Sequence, residues 1–188
     1  PGEVLIKVER VGVNHMELLQ LAGAAPPGAL DRVIPGIDPA GSVVATGPGA
    51  EAPFAPGDPV VVKPASACGT CRACRHGDDD ACREARITGV HRDGGWAELV
   101  RIPIANVFRL PAGVDAGIAS AFSHSFPVAW QVLLRCGPLR PDDTVLVIGG
   151  AGGVGSAAVQ LAAQHGCRVL ATASTPAKEA VVRGLGAV

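Results

Sequence analysis

Five glycines fall within the seven residues from Gly149 to Gly155, and their surroundings leave few folds open. An apolar run from Thr144 to Ile148 leads into them, a small-residue stretch from Val154 to Gly166 follows, and a second apolar run begins at Arg168. This order reads as the first strand, phosphate loop, helix and second strand of a dinucleotide-binding parallel sheet. Gly150, Gly152 and Gly155 satisfy G-x-G-x-x-G. Gly150 is assigned the tight turn, Gly152 the close approach of a pyrophosphate, and Gly155 the close packing of helix on strand. Gly153 and Val154 complete the loop at the helix start, where free N–H groups favour phosphate. An apolar stripe through Val154, Ala158, Leu161 and Ala162 is expected to face the sheet.

An Asp or Glu closing the second strand would select NAD, but the chain has Leu170 to Thr175 there with no acid. Ser174, Thr175 and the Lys178 ammonium suit a 2′-phosphate instead, so NADP(H) is favoured over NAD(H). The same residues also read as a helix start, with Thr175 as cap and Pro176 at the first helical position.

Six cysteines are present, and four of them, Cys68, Cys71, Cys74 and Cys82, follow C-x2-C-x2-C-x7-C. Short spacers let three thiolates converge from one knuckle, and the longer return brings the fourth to close a tetrahedron. Four thiolates around zinc leave no open position, so one structural zinc is expected, with iron as the competing ion. The ferredoxin spacing has x3 and a following proline where this chain has x7 and Arg83. Cys136 and Cys167 are expected to be small buried hydrophobes. Clustered, reduced cysteines point to the cytoplasm.

Ahead of the cysteine lobe, residues 4–13 alternate as a half-buried strand, and 14–23 read as a turn and short helix. Prolines 26, 27 and 35 keep the next segment irregular, and two further strands follow around 37–50 and 57–63. Residues 94–111 return to short strands, while 114–137 have helical spacing on either side of Pro127. The fold class is α/β. A mostly β domain at 1–125, with the cysteine lobe at 65–85, precedes the first part of a dinucleotide domain at 126–188. Only two strands follow Thr144 in a chain of 188 residues, so the sequence is expected to be a fragment cut inside its second domain. Its first residues, entering a strand at once, are expected to be trimmed as well.

A formal net charge of -1 points away from nucleic acid and anionic membranes, and no apolar run is long enough to span a bilayer.

Taken with GVNH at 12–15, PGIDPAG at 35–41, GPGA at 47–50, PGDPVVV at 56–62 and GGWAELV at 94–100, these motifs resemble the medium-chain dehydrogenase/reductase superfamily. The resemblance is to zinc-containing alcohol dehydrogenases and their quinone oxidoreductase relatives. It implies a GroES-like N-terminal domain, a Rossmann domain, a cleft site between them, and a homodimer or homotetramer for the full-length protein. Members with catalytic zinc place Cys where this chain has Asn14 and His where it has Ile37, with a third ligand near His124. The hydroxyl that starts their proton relay falls near Met16. The departures imply the metal-free quinone and enone reductases, with a quinone, an enone or another small carbonyl compound as substrate. Asn14 is then the first candidate for orienting nicotinamide or substrate, His15 a candidate for proton supply, and His124 a cleft residue. The alternatives are an alcohol dehydrogenase whose catalytic zinc has substituted ligands, and a non-enzymatic nucleotide-binding member.

Overall fold

The computed structural model describes residues 2–49, 53–135, 137 and 139–188; Cys136, and Ala50 of the GPGA motif, lie outside them. The chain divides into two compact units, Pro1–His124 and Ser125–Val188.

In the first unit, β1 (Glu3–Val11) leads through a turn into α1 (His15–Leu21). The proline-rich link reaches β2 (Pro39–Thr46), then β3 (Pro59–Val62), β4 (Ala65–Ser66), α2 (Arg72–Arg75) and β5 (Arg86–Ile87). Next come β6 (Leu99–Pro103), β7 (Val107–Arg109) and α3 (Ala116–Trp130), inside which the unit boundary falls. Five strands form one antiparallel sheet in the order β6-β1-β2-β3-β7. Alternating β-branched residues explain it: Val4 and Ile6, Val60 and Val62, and Val100 and Ile102 all turn inward, and Phe54 and Val107 complete their core. Burying each such side chain is worth about 1.5–3 kcal/mol.

The end of β1 is irregular for a reason that matters to the site. Val8 pairs with Gly41 but Arg10 pairs with Ala40, so the register slips at Glu9. Such a bulge bends the strand, and here it precedes the Gly12–Asn14 turn. Gly41 makes the close approach possible, because a Cβ there would run into the Lys7 carbonyl and stand 3.0 Å from the Glu9 nitrogen.

Helical spacing across Pro127 gives one helix, α3, with the proline inside it, continued by a π-helical turn at Gln131–Arg135. Proline offers no N–H to the preceding turn, and wider i→i+5 bonding is one way a helix absorbs a local mismatch.

In the second unit, β8 (Thr144–Val147) is followed by α4 (Gly153–Gln164), β9 (Arg168–Ala171) and α5 (Pro176–Gly184). β8 and β9 pair in parallel, Thr144 with Arg168 through Val147 with Ala171. The helix stripe is turned from its expected position. Ala157, Val159 and Ala162 are buried, whereas Val154 is 39% exposed. Gly155 sets this phase: its α-carbon lies so close to the Gly149 carbonyl that any Cβ would collide with it, and Val154 is rotated outward. Cys167 is only half-buried and packs at the edge of this core, its thiol donating to the Arg140 carbonyl at 3.5 Å. Among the described residues no helix is long and apolar enough to cross a membrane.

Gly41→Ala is expected to destabilise the first unit by about 2–3 kcal/mol, since a clash with backbone cannot be relieved by a rotamer change. Denaturant unfolding checks this, and a loss within experimental error would show that β1 and β2 can part without cost.

Candidate functional site

The cysteine lobe is built locally. Cys71 caps α2, Cys74 sits within it, and Cys68 and Cys82 flank it. The four sulfurs lie within 4.8 Å of one another. Three of the edges measure 3.8 Å for Cys68–Cys74, 3.4 Å for Cys71–Cys74 and 3.9 Å for Cys71–Cys82. A tetrahedron with Zn–S bonds of about 2.3 Å has edges of about 3.8 Å, so the quartet can hold such an ion. Backbone N–H groups already point at the sulfurs: Cys71 N–H donates to Cys68 Sγ and Cys68 N–H to Cys82 Sγ, each at 3.3 Å. Donors from Thr70 and Cys71 lower the Cys68 thiol to about 6, while burial pushes Cys74 up to about 12. One thiolate thus forms easily, and a cation would draw the others into the same state.

Asn14 lies where β1 has ended and α1 begins. Its side-chain Nδ2 donates to Asp38 Oδ2 at 3.0 Å, and the Gly12 N–H donates to Asp38 Oδ1 at 2.9 Å. Glu17 closes the first turn of α1 by accepting the Asn14 N–H at 2.8 Å, and its other oxygen accepts the Ile37 N–H at 3.2 Å. Glu17 and Asp38 are 0% and 1% exposed, so two buried carboxylates join β1, α1 and the PGIDPAG segment. Burial pushes the Asp38 carboxyl above its ordinary range; bonds from Asn14 and Gly12 oppose this, Glu17 adds to it, and His124 opposes it. His124 is half-buried on α3 within electrical reach of Asp38, whereas His15 is exposed at the head of α1 and makes none of these contacts. Ile37 is fully buried. Among the described residues the cysteine quartet is the only group of three or more His, Cys, Asp or Glu side chains close enough to share a metal ion.

The sequence alone does not reveal the Asn14–Asp38 bond, which spans 24 residues. The available signal is an acid between Ile37 and Pro39, in an apolar setting where a carboxylate needs donors.

In the second unit the left-handed turn belongs to Gly149, with φ of 72°, and not to Gly150. Gly150 instead lets the loop lie against the sheet, since a Cβ there would stand 2.8 Å from the Ala171 methyl and 3.1 Å from Val182. Thr172 ties the loop down: its hydroxyl accepts from the Gly149 N–H at 2.9 Å and its carbonyl from the Gly150 N–H at 3.0 Å. Gly152 caps α4, leaving the first N–H groups, at Gly153, Val154 and Gly155, without helical partners. Beside the loop a cleft of about 360 Å³ is lined by Ile148, Gly149, Gly152, Thr172, Ser174 and Lys178 among others, none of them acidic. Lys178 Nζ donates to Ser174 Oγ at 3.2 Å, and the Thr175 hydroxyl caps α5 by accepting the Lys178 N–H at 3.3 Å. The acid on the same turn, Glu179, is paired with Arg183 at 2.9 Å.

Known proteins share this fold. Residues 1–112 match the family described as "Alcohol dehydrogenase GroES-like domain". The chain is 34% identical to an L-galactonate-5-dehydrogenase of Escherichia coli (strain K12), aligning 95% of this chain with 51% of that protein. It is 31% identical to an acryloyl-coenzyme A reductase of Metallosphaera sedula, over 96% of this chain and 54% of that one. A crystal structure of an NAD-dependent alcohol dehydrogenase superposes with a TM-score of 0.92 at 38% identity, over 100% of this chain and 54% of the other. The chain therefore spans about half the length of the curated relatives it matches.

Proposed function

This chain belongs to the zinc alcohol dehydrogenase-like members of the medium-chain dehydrogenase/reductase superfamily, and we propose that it serves as an NADP(H)-dependent reductase of α,β-unsaturated carbonyl compounds or quinones without catalytic zinc. The carrying observation is the state of two positions. Asn14 has committed its amide N–H to Asp38, and Ile37 is apolar and fully buried. Neither offers the thiolate or imidazole that a tetrahedral catalytic zinc takes. The acryloyl-coenzyme A reductase among the relatives favours an activated alkene over a quinone. A dehydrogenase of alcohols with a substituted ligand set is the second reading, favoured by the names of the other relatives.

Cys68, Cys71, Cys74 and Cys82 are assigned one structural zinc, which their sulfur spacing suits. The reduced dinucleotide, when bound, supplies hydride. The loop from Gly149 to Gly155 and the first N–H groups of α4 would hold its pyrophosphate, with Gly150, Gly152, Gly153 and Val154 shaping the approach. Ser174, Thr175 and Lys178 would hold a 2′-phosphate, which the acid-free lining of the cleft does not repel. Hydride arriving at the β-carbon of an enone leaves negative charge on the carbonyl oxygen and a proton to be taken at the α-carbon. Asn14 is the first candidate to orient the reacting groups, His15 is the exposed imidazole available to supply the proton, and His124 stands within electrical reach of Asp38.

Two measurements on the whole protein test this. With a simple enone, NADPH oxidation should exceed alcohol oxidation by at least about tenfold; the reverse order would favour the second reading. Lys178→Ala should raise KM for NADPH about tenfold, the scale of one charge-assisted hydrogen bond, and leave KM for NADH unchanged. Equal effects on both cofactors would remove Lys178 from 2′-phosphate recognition.

A further inference from the structure

One cavity of the first unit is lined mainly by cations. It has a volume of about 350 Å³ and is walled by Arg86, His91, Arg92 and Arg101, with Glu3 and Asp93 as its acids. Three separate stretches of backbone supply the arginines. Arg86 lies on β5 opposite Ser66 of β4, and Arg101 lies on β6 opposite Leu5 of β1. The loop carrying Arg92 is closed by the Gly89 N–H, which donates to the Arg92 carbonyl at 2.8 Å. The fold itself, and not a run of basic neighbours, brings the three together.

The two acids do not neutralise the cluster. Asp93 Oδ1 accepts the Ile34 N–H at 3.0 Å, and Glu3 stands 3.6 Å from Arg101, whose side chain is 77% exposed. Among the described residues Arg86 and Arg92 take part in no ion pair. Three guanidiniums against two carboxylates leave an excess of positive charge in a chain whose formal net charge is -1. Arg92 gives a second, independent indication. It is half-buried, and its Nε is shut away from water with no hydrogen-bond partner. A buried donor of a charged group in that state calls for an acceptor. His91 adds a donor of fixed identity, because its Nδ1 accepts the Ile87 N–H at 3.0 Å and the ring proton therefore sits on Nε2.

We propose that this cavity is a binding site for a phosphate group, held by Arg86, Arg92 and Arg101. Guanidiniums grip oxyanions through paired N–H groups, and a tetrahedral dianion has oxygens for more than one of them, whereas a carboxylate is satisfied by a single fork. Ligand cavities begin at about 300 Å³, so this one suits a phosphomonoester of metabolite size. Ile34 and Leu99 on its wall, 39% and 49% exposed, give the organic part an apolar surface. All of these residues belong to the first unit, and none is assigned to the dinucleotide.

Calorimetric titration of the whole protein with inorganic phosphate and with phenyl phosphate tests the site. Saturating NADP+ is present throughout to occupy the nucleotide loop, and sodium chloride holds the ionic strength constant. Wild type is compared with Arg86→Gln, Arg92→Gln and Lys178→Ala, and the thermal unfolding midpoint of each is read with and without phosphate. Saturable binding to wild type is expected, weakened at least about tenfold by Arg86→Gln and by Arg92→Gln, the scale of a lost charge-assisted hydrogen bond, and unchanged by Lys178→Ala. Arg86 is exposed on a two-residue strand, so its variant carries the test even where Arg92→Gln fails to fold. Phosphate should raise the unfolding midpoint of wild type and leave that of Arg86→Gln in place. Tighter binding of phenyl phosphate would assign the site to an organic phosphomonoester, and equal affinity would assign it to the free ion. No saturable binding, affinities of Arg86→Gln and Arg92→Gln equal to wild type, or binding lost with Lys178→Ala would overturn the site, and none of these outcomes bears on hydride transfer.

Discussion

Two carboxylates that are almost completely removed from water hold the N-terminal unit together at its most irregular point. Glu17 and Asp38 accept four hydrogen bonds, from the backbone of Gly12, Asn14 and Ile37 and from the Asn14 side chain. Those donors come from the end of β1, the start of α1 and the segment entering β2. Leaving one buried donor unmatched costs about 1–3 kcal/mol, so removal of either acid loosens all three segments together. The β1 bulge and Gly41 fix where the strand bends, and the two acids fix the turn into α1.

The second unit reaches its geometry by a different constraint, close backbone approach. Gly155 against the Gly149 carbonyl and Gly150 against Ala171 and Val182 bring loop, helix and sheet nearer than any side chain would permit. The result exposes the first turn of α4 and the acid-free cleft beside Lys178. The cysteine lobe depends on neither unit's core: short spacers and the single turn of α2 bring its sulfurs together.

The elements most legible in the sequence were those whose cause is local. Alternating valines and isoleucines announce β1, β3 and β6, and the spacing of four cysteines carries its own convergence. The glycine run announces a strand–loop–helix turn but does not divide the roles within it. Gly149 takes the left-handed conformation, and its N–H is held by Thr172, 23 residues later, a partner no local pattern reveals. The outward rotation of Val154 has a similar cause, since the helix phase is set by a backbone contact and not by hydrophobic periodicity. Asn14 is legible as a departure from the family's ligand pattern, yet its bond to Asp38 spans 24 residues, beyond the reach of any local pattern.

The central claim, that hydride delivery here needs no catalytic metal, is tested most directly by zinc content per chain of the whole protein, followed alongside turnover during chelation. The account predicts one tightly held zinc and enone reduction that a chelator does not diminish. Two zincs, with activity on alcohols lost when the weaker is stripped, would contradict it and place a metal beside Asn14 and His124 after all.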